Sequence, residues 1–153
     1  MANKEKAYSF RIANRRAKMA MENEYYLEAI CLYESMIADR VLSYVSGVAP
    51  HLNASISTSF TGIVGYMGNC IRKVEMADEE CASGLVKDIK KWAKKRNSCV
   101  HLMAKSTPGT PTISVDEFIE TAKETAAEGK KLFNSLNNWH KKEKRFAAKN
   151  SKI

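Results

Sequence analysis

The stretch EYYLEAICLYESMIADRVLSYVSGV, residues 24–48, decides the fold class. Leu27, Ile30, Glu34, Ile37, Val41, Tyr44 and Val48 follow one another at intervals of three and four. On a helix this spacing puts all seven on one line, whereas on a strand they would scatter over both faces. Gly47 and Pro50 supply the stop. The segment therefore predicts a long helix with one buried stripe.

Working outward, the same period recurs. Upstream, residues 8–21 carry Arg11, Arg15, Arg16 and Lys18 on a weaker apolar pattern, so residues 1–22 read as a basic N-terminal helix or arm. Downstream, a Ser/Thr-rich loop at 51–59 precedes a helix over 60–76, with Phe60, Ile63, Val64, Met67, Ile71 and Val74 in register. Gly62, Gly65 and Gly68 recur on one side of it, where they admit a close neighbour. A helix over 79–105 follows, with Leu85, Ile89, Trp92, Arg96, Cys99 and Met103 as its stripe. Pro108 and Pro111 mark the next loop. Ser114 and Glu117 then have the spacing of a capping box. They open a helix carrying Val115, Phe118, Ala122, Thr125, Gly129, Leu132, Leu136 and Trp139. It is expected to fade into a basic tail from His140, with residues 148–153 frayed. Long helices with short connections imply an all-α fold: an antiparallel bundle of four main helices plus a short N-terminal helix, in a single domain over 1–153.

The chain of 153 residues is 44% hydrophobic and 27% charged, a globular composition. No run of about 18 apolar residues is present, so no transmembrane helix is expected. The basic N-terminus lacks the apolar core of a secretory signal. Cys31, Cys70, Cys81 and Cys99 form no Cys-x-x-Cys pair and read as reduced, buried packing residues of a cytoplasmic protein. Three scattered histidines supply no metal site. Twenty-five Lys and Arg against seventeen Asp and Glu leave a net charge of +8. That excess points to an anionic partner, of which nucleic acid is the commonest; the plainer alternative is solubility alone.

Two charges break the apolar stripes. Glu34 interrupts the stripe of residues 24–48, and Arg96 that of residues 79–105. A charge facing a bundle interior is costly unless paired, so these two are expected to meet or to line a cleft or interface. A register-setting ion pair without chemistry satisfies the same constraint. Asp39 and Arg40 lie close enough along the chain to join either arrangement. On the neighbouring face, Lys90, Lys94, Asn97, His101 and Lys105 form a polar, basic strip, reinforced by Lys87, Lys91 and Lys95. Such a strip binds phosphates through charge, although most are simply solvated. His101 stands five residues after Arg96, about 140° around an ideal helix.

The segment Arg96-Asn97-Ser98-Cys99-Val100-His101 has the form R-N-x-x-x-H and resembles the signature of the HEPN superfamily. Residues 29–40 resemble the acidic helix that faces this motif in many such proteins. Chain length, helix order and motif position agree with that family over residues 24–147. The resemblance implies a metal-independent endoribonuclease without cofactors, acting on RNA in a cleft between two protomers of a homodimer. It implies a role in toxin–antitoxin or phage-defence systems, with an antitoxin or regulatory protein as a further partner. Carried over, Arg96 stabilises charge developing on the scissile phosphate. His101 moves protons, with the ribose 2′-OH as nucleophile, a task suited to imidazole at neutral pH. Asn97 positions ribose, phosphate or His101, and Glu34 orients Arg96. Asp39 and Arg40 support them, while Lys90, Lys94, Lys95 and Lys105 hold RNA. Many toxin members carry a Tyr two residues beyond the motif His, where this chain has Met103. Some members are catalytically silent interaction or RNA-binding modules, the alternative reading here.

Overall fold

The computed structural model describes residues 3–55, 58–102, 108–109 and 111–151. Every regular element among them is helical: α1 (Lys4–Glu22), α2 (Tyr26–Val48), a 3-10 turn (Pro50–Leu52), α3 (Phe60–Ile71), α4 (Glu79–Leu102) and α5 (Val115–Asn150). The protein is an all-α bundle. No helix among the described residues is long and apolar enough to cross a membrane.

Local chemistry fixes the helix ends. Asn3 accepts from the Lys6 amide at 3.0 Å and Ser59 from the Gly62 amide at 3.2 Å, each relieving an orphan donor of a first turn. The expected capping box forms: Glu117 N donates to Ser114 Oγ at 3.2 Å, and Ser114 N to Glu117 Oε2 at 3.4 Å. Helix α1 ends in a Schellman motif, with Tyr25 N donating to the Ala20 carbonyl at 2.8 Å and Glu24 N to that of Met21 at 3.3 Å. Glu24 occupies the left-handed position there, at φ 62°.

The chain's contacts gather into two compact units. The first comprises Met1–Met36 and Trp92–Lys130. Its core includes Ala17, Ala20, Ile30, Tyr33, Trp92, Cys99 and Ala126. Trp92 donates its indole N–H to the Thr125 carbonyl at 2.8 Å. Gly129 lets that ring approach, since a Cβ there would stand 2.7 Å from Trp92 Cζ2.

The second unit comprises Ile37–Lys91 and Lys131–Ile153. Its core includes Ile37, Val41, Val45, Val64, Met67, Ile89 and Leu136, with Tyr44 and Trp139 packed edge to face at 4.7 Å between centroids. Glu143 is buried and accepts from the amides of Ala77 (3.1 Å) and Asp78 (3.2 Å). Asp78 in turn accepts from Cys81 N at 3.0 Å, capping α4.

Several boundaries differ from expectation. Helix α3 stops at Ile71 rather than Met76, because the chain must turn there to present the Ala77 and Asp78 amides to Glu143. Helix α5 continues through Asn150, and residues 152–153 of the tail expected to fray lie outside the described residues. Burial of Trp139, His140 and Glu143 holds its later turns in place. Of the three α3 glycines, Gly62 is the most closely hemmed, a Cβ there standing 3.0 Å from Ser59 Oγ and 3.1 Å from Thr58 Cγ2; Gly68 faces Val86 at ordinary contact distance, and Gly65 faces open space. Cys70 and Cys99 are buried as expected, but Cys31 is exposed and Cys81 half-buried.

Candidate functional site

In the first unit, the two stripe-breaking charges meet. Glu34 stands on α2 between Ile30 and Ile37, and Arg96 on α4 between Trp92 and Cys99, all four flanking residues being buried. Helical periodicity therefore sends both charges inward, and their chains close on each other. Arg96 Nη2 lies 3.2 Å from Glu34 Oε1, with side-chain exposures of 18% and 26%. This partial exposure lowers the desolvation cost relative to a sealed pair. A guanidinium offers five N–H donors in a planar fork, so contact with one carboxylate does not exhaust it.

Asn97 and His101 lie on the exposed side of α4 in the same unit. Among the described residues no hydrogen bond joins Asn97 to His101, so the geometry gives no support for Asn97 as the positioner of that ring. Lys94 is exposed. Lys95 is committed elsewhere: its ammonium meets Glu128 at 2.7 Å, and this hydrogen bond and charge hold its pKa above the usual lysine value. The pair is solvent-exposed and contributes little to stability. Lys90 is exposed but belongs to the second unit. Asp39 and Arg40 also belong to the second unit, half-buried on α2 and each engaged in interactions of its own. Lys105 lies outside the described residues. Among those described, no three His, Cys, Asp or Glu side chains gather to hold a metal ion.

The second unit contains a feature that sequence reasoning missed. A hollow of about 210 Å³ opens between α2 and α5, lined by Ser43, Tyr44, Gly47, Val48, His140, Glu143, Lys144 and Ala147. The Tyr44 hydroxyl is buried with no hydrogen-bond partner among the described residues. Burial, and then the negative charge of Glu143, push its pKa well above the ordinary tyrosine value. One signal was available in the sequence. Continuing the α5 stripe from Leu132 and Leu136 leads through Trp139 and His140 to Glu143, a titratable pair on a buried line.

No family model, curated protein or solved structure matches the chain.

Proposed function

We propose that the protein is a metal-independent endoribonuclease of HEPN type, with Arg96 and His101 at its chemistry. The observation that carries this reading is the 3.2 Å Glu34–Arg96 contact: a motif arginine held by an acidic residue of the facing helix, its side chain 18% exposed, on the helix that displays His101. Glu34 fixes the guanidinium so that its fork faces a phosphate without reorganising during the reaction. Imidazole removes the proton of a ribose 2′-OH, the 2′-oxygen attacks phosphorus, and the 5′-oxygen departs with a proton. The products are a 2′,3′-cyclic phosphate and a 5′-hydroxyl. Asn97 contacts ribose or phosphate, and Lys90, Lys94 and Lys105 add charge along the RNA; Lys95, paired with Glu128, contributes less. A homodimer cleft in a cytoplasmic conflict system, controlled by an antitoxin or regulatory protein, completes the reading.

One observation favours a second reading. Both partners of the ion pair lie on core stripes, as a register-setting pair in a catalytically silent interaction or RNA-binding module would. Arg96→Lys separates the two. Lysine keeps the charge opposite Glu34 but loses the planar fork. The ribonuclease reading expects RNA cleavage to fall at least a hundredfold while the melting temperature changes by only a few degrees. Unchanged cleavage would reject a phosphate-binding role for Arg96.

A further inference from the structure

In the second unit, the outward side of α5 carries an unbroken polar stripe. Lys131, Asn134, Asn138, Lys141, Arg145 and Lys149 succeed one another three or four residues apart, and all six are exposed. On an ideal helix they fall within about 80° of the surface and extend over about 27 Å. Glu143 is the single carboxylate of residues 131–151. It stands about 160° from the middle of the stripe, where it accepts from the amides of Ala77 and Asp78. Lys142, at the edge of the stripe, lies 3.8 Å from Asp78. The four stripe cations form no ion pair among the described residues. The hollow lined by His140, Lys144 and Ala147 opens on a different side of the helix and takes no part.

Two observations separate this stripe from an ordinary solvated face. Opposite charges four residues apart stabilise a helix, and like charges at that spacing oppose it. Lys141, Arg145 and Lys149 stand at successive intervals of four, a repulsion that a polyanion relieves. Asparagine is also a poorer helix former than Ala, Gln, Glu or Lys. Yet Asn134 and Asn138 sit in mid-helix, and neither side-chain amide is hydrogen-bonded among the described residues. Such an amide both donates and accepts. A row of carboxylates offers it acceptors alone, whereas the ribose 2′-hydroxyl also donates. An anionic membrane fits less well, because the stripe holds no Leu, Ile, Phe or Trp to insert.

We propose that this stripe binds the backbone of RNA, with phosphates on Lys131, Lys141, Arg145 and Lys149 and 2′-hydroxyls on Asn134 and Asn138. The choice of RNA over DNA rests in part on the ribonuclease reading; the choice of a phosphodiester backbone does not.

The test is binding of a fluorescent single-stranded RNA 12-mer, and of the DNA 12-mer of the same sequence, to the full chain carrying His101→Ala so that the probe stays intact. Anisotropy follows both. Replacing Lys141, Arg145 and Lys149 together by Ala should weaken both probes by about tenfold or more and reduce the slope of log affinity against log salt by about 2. Replacing Arg11, Arg15 and Arg16 of α1 by Ala removes the same charge and should cost less than about threefold. Asn134→Ala combined with Asn138→Ala should weaken the RNA about fivefold and the DNA less than about twofold. Alanine is the better helix former, so the melting temperature of that variant should hold or rise. The proposal is overturned if the α1 replacements weaken binding as much as those on α5, or if the asparagine pair leaves RNA affinity unchanged or lowers RNA and DNA alike. It is also overturned if phosphatidylserine vesicles or polyglutamate bind through these residues as tightly as the RNA. The two readings fail separately. Cleavage by the wild-type chain, with binding indifferent to the α5 substitutions, removes the stripe alone. Binding that depends on them, with no cleavage under any condition, supports the stripe and counts against the ribonuclease.

Discussion

At the scale of the residue, Glu34 and Arg96 show how far a broken pattern can be read. Each stands where its stripe calls for an apolar side chain, and a charge in that position needs an opposite charge nearby. Their 3.2 Å contact follows from two helices obeying the same period. Glu34→Ala should cost about 2–3 kcal/mol in denaturant unfolding, below the upper range for sealed pairs because both side chains keep some solvent. A double-mutant cycle with Arg96→Ala checks it: coupling near zero would mean that the contact contributes nothing. Tyr44 behaves differently. It reads as an ordinary stripe member, and nothing in the sequence marks its hydroxyl as buried without a partner. Tyr44→Phe removes that group at almost constant shape and should raise stability at neutral pH by about 1 kcal/mol. The raised pKa also has a sign. The folded state resists ionisation that the unfolded chain undergoes near pH 10, so the protonated hydroxyl's share of stability is intact below that pH and is lost as pH rises above it. Wild-type unfolding free energy should therefore fall more steeply above pH 10 than that of Tyr44→Phe. Parallel curves would contradict the burial argument.

At the scale of the element, glycine and its absence both matter. Gly129 falls in the apolar stripe of α5, where alanine would be the better helix former by about 1 kcal/mol. Trp92 reverses that preference, because a Cβ would lie 2.7 Å from its ring. Gly129→Ala should destabilise the protein by about 1–3 kcal/mol as the ring is displaced, and its thermal melt would show it. The opposite holds at the end of α1, where Glu24 occupies the left-handed position of the Schellman motif at φ 62°. Glu24→Gly should stabilise by about 1 kcal/mol by relieving the Cβ strain. The helices themselves were legible because stripes, caps and prolines agreed. Their ends were legible only where a side-chain cap was written locally, as at Ser114. The stop of α3 and the course of α5 depend on Glu143 reaching Ala77 and Asp78, 66 and 65 positions away. A carboxylate within a run of lysines gives no local hint of that reach.

At the scale of the whole molecule, the net charge of +8 is unevenly used. Lys95 is paired with Glu128, and Lys142 lies near Asp78, whereas Lys141, Lys144, Arg145 and Lys149 at the end of α5 form no ion pair among the described residues. The sequence pointed to the lysines of α4 as the RNA-binding strip, since they flank the motif. It could not show which lysines are already matched, because the matching carboxylates come from other helices. The motif residues divide in the same way. Arg96 is held in place, while His101 is displayed on the open side of α4. The two side chains diverge by about 140° around α4, so the proposed cleavage takes their meeting at one phosphate to be the work of the dimer cleft.

The most direct test of this account is incubation of a mixed single-stranded RNA with the full chain in EDTA, comparing wild type with His101→Ala and determining the chemistry of the new ends. The account predicts wild-type cuts ending in 2′,3′-cyclic phosphate and 5′-hydroxyl, absent from a normally folded His101→Ala protein. Equal cutting by both proteins, or 5′-phosphate ends from the wild type, would contradict it.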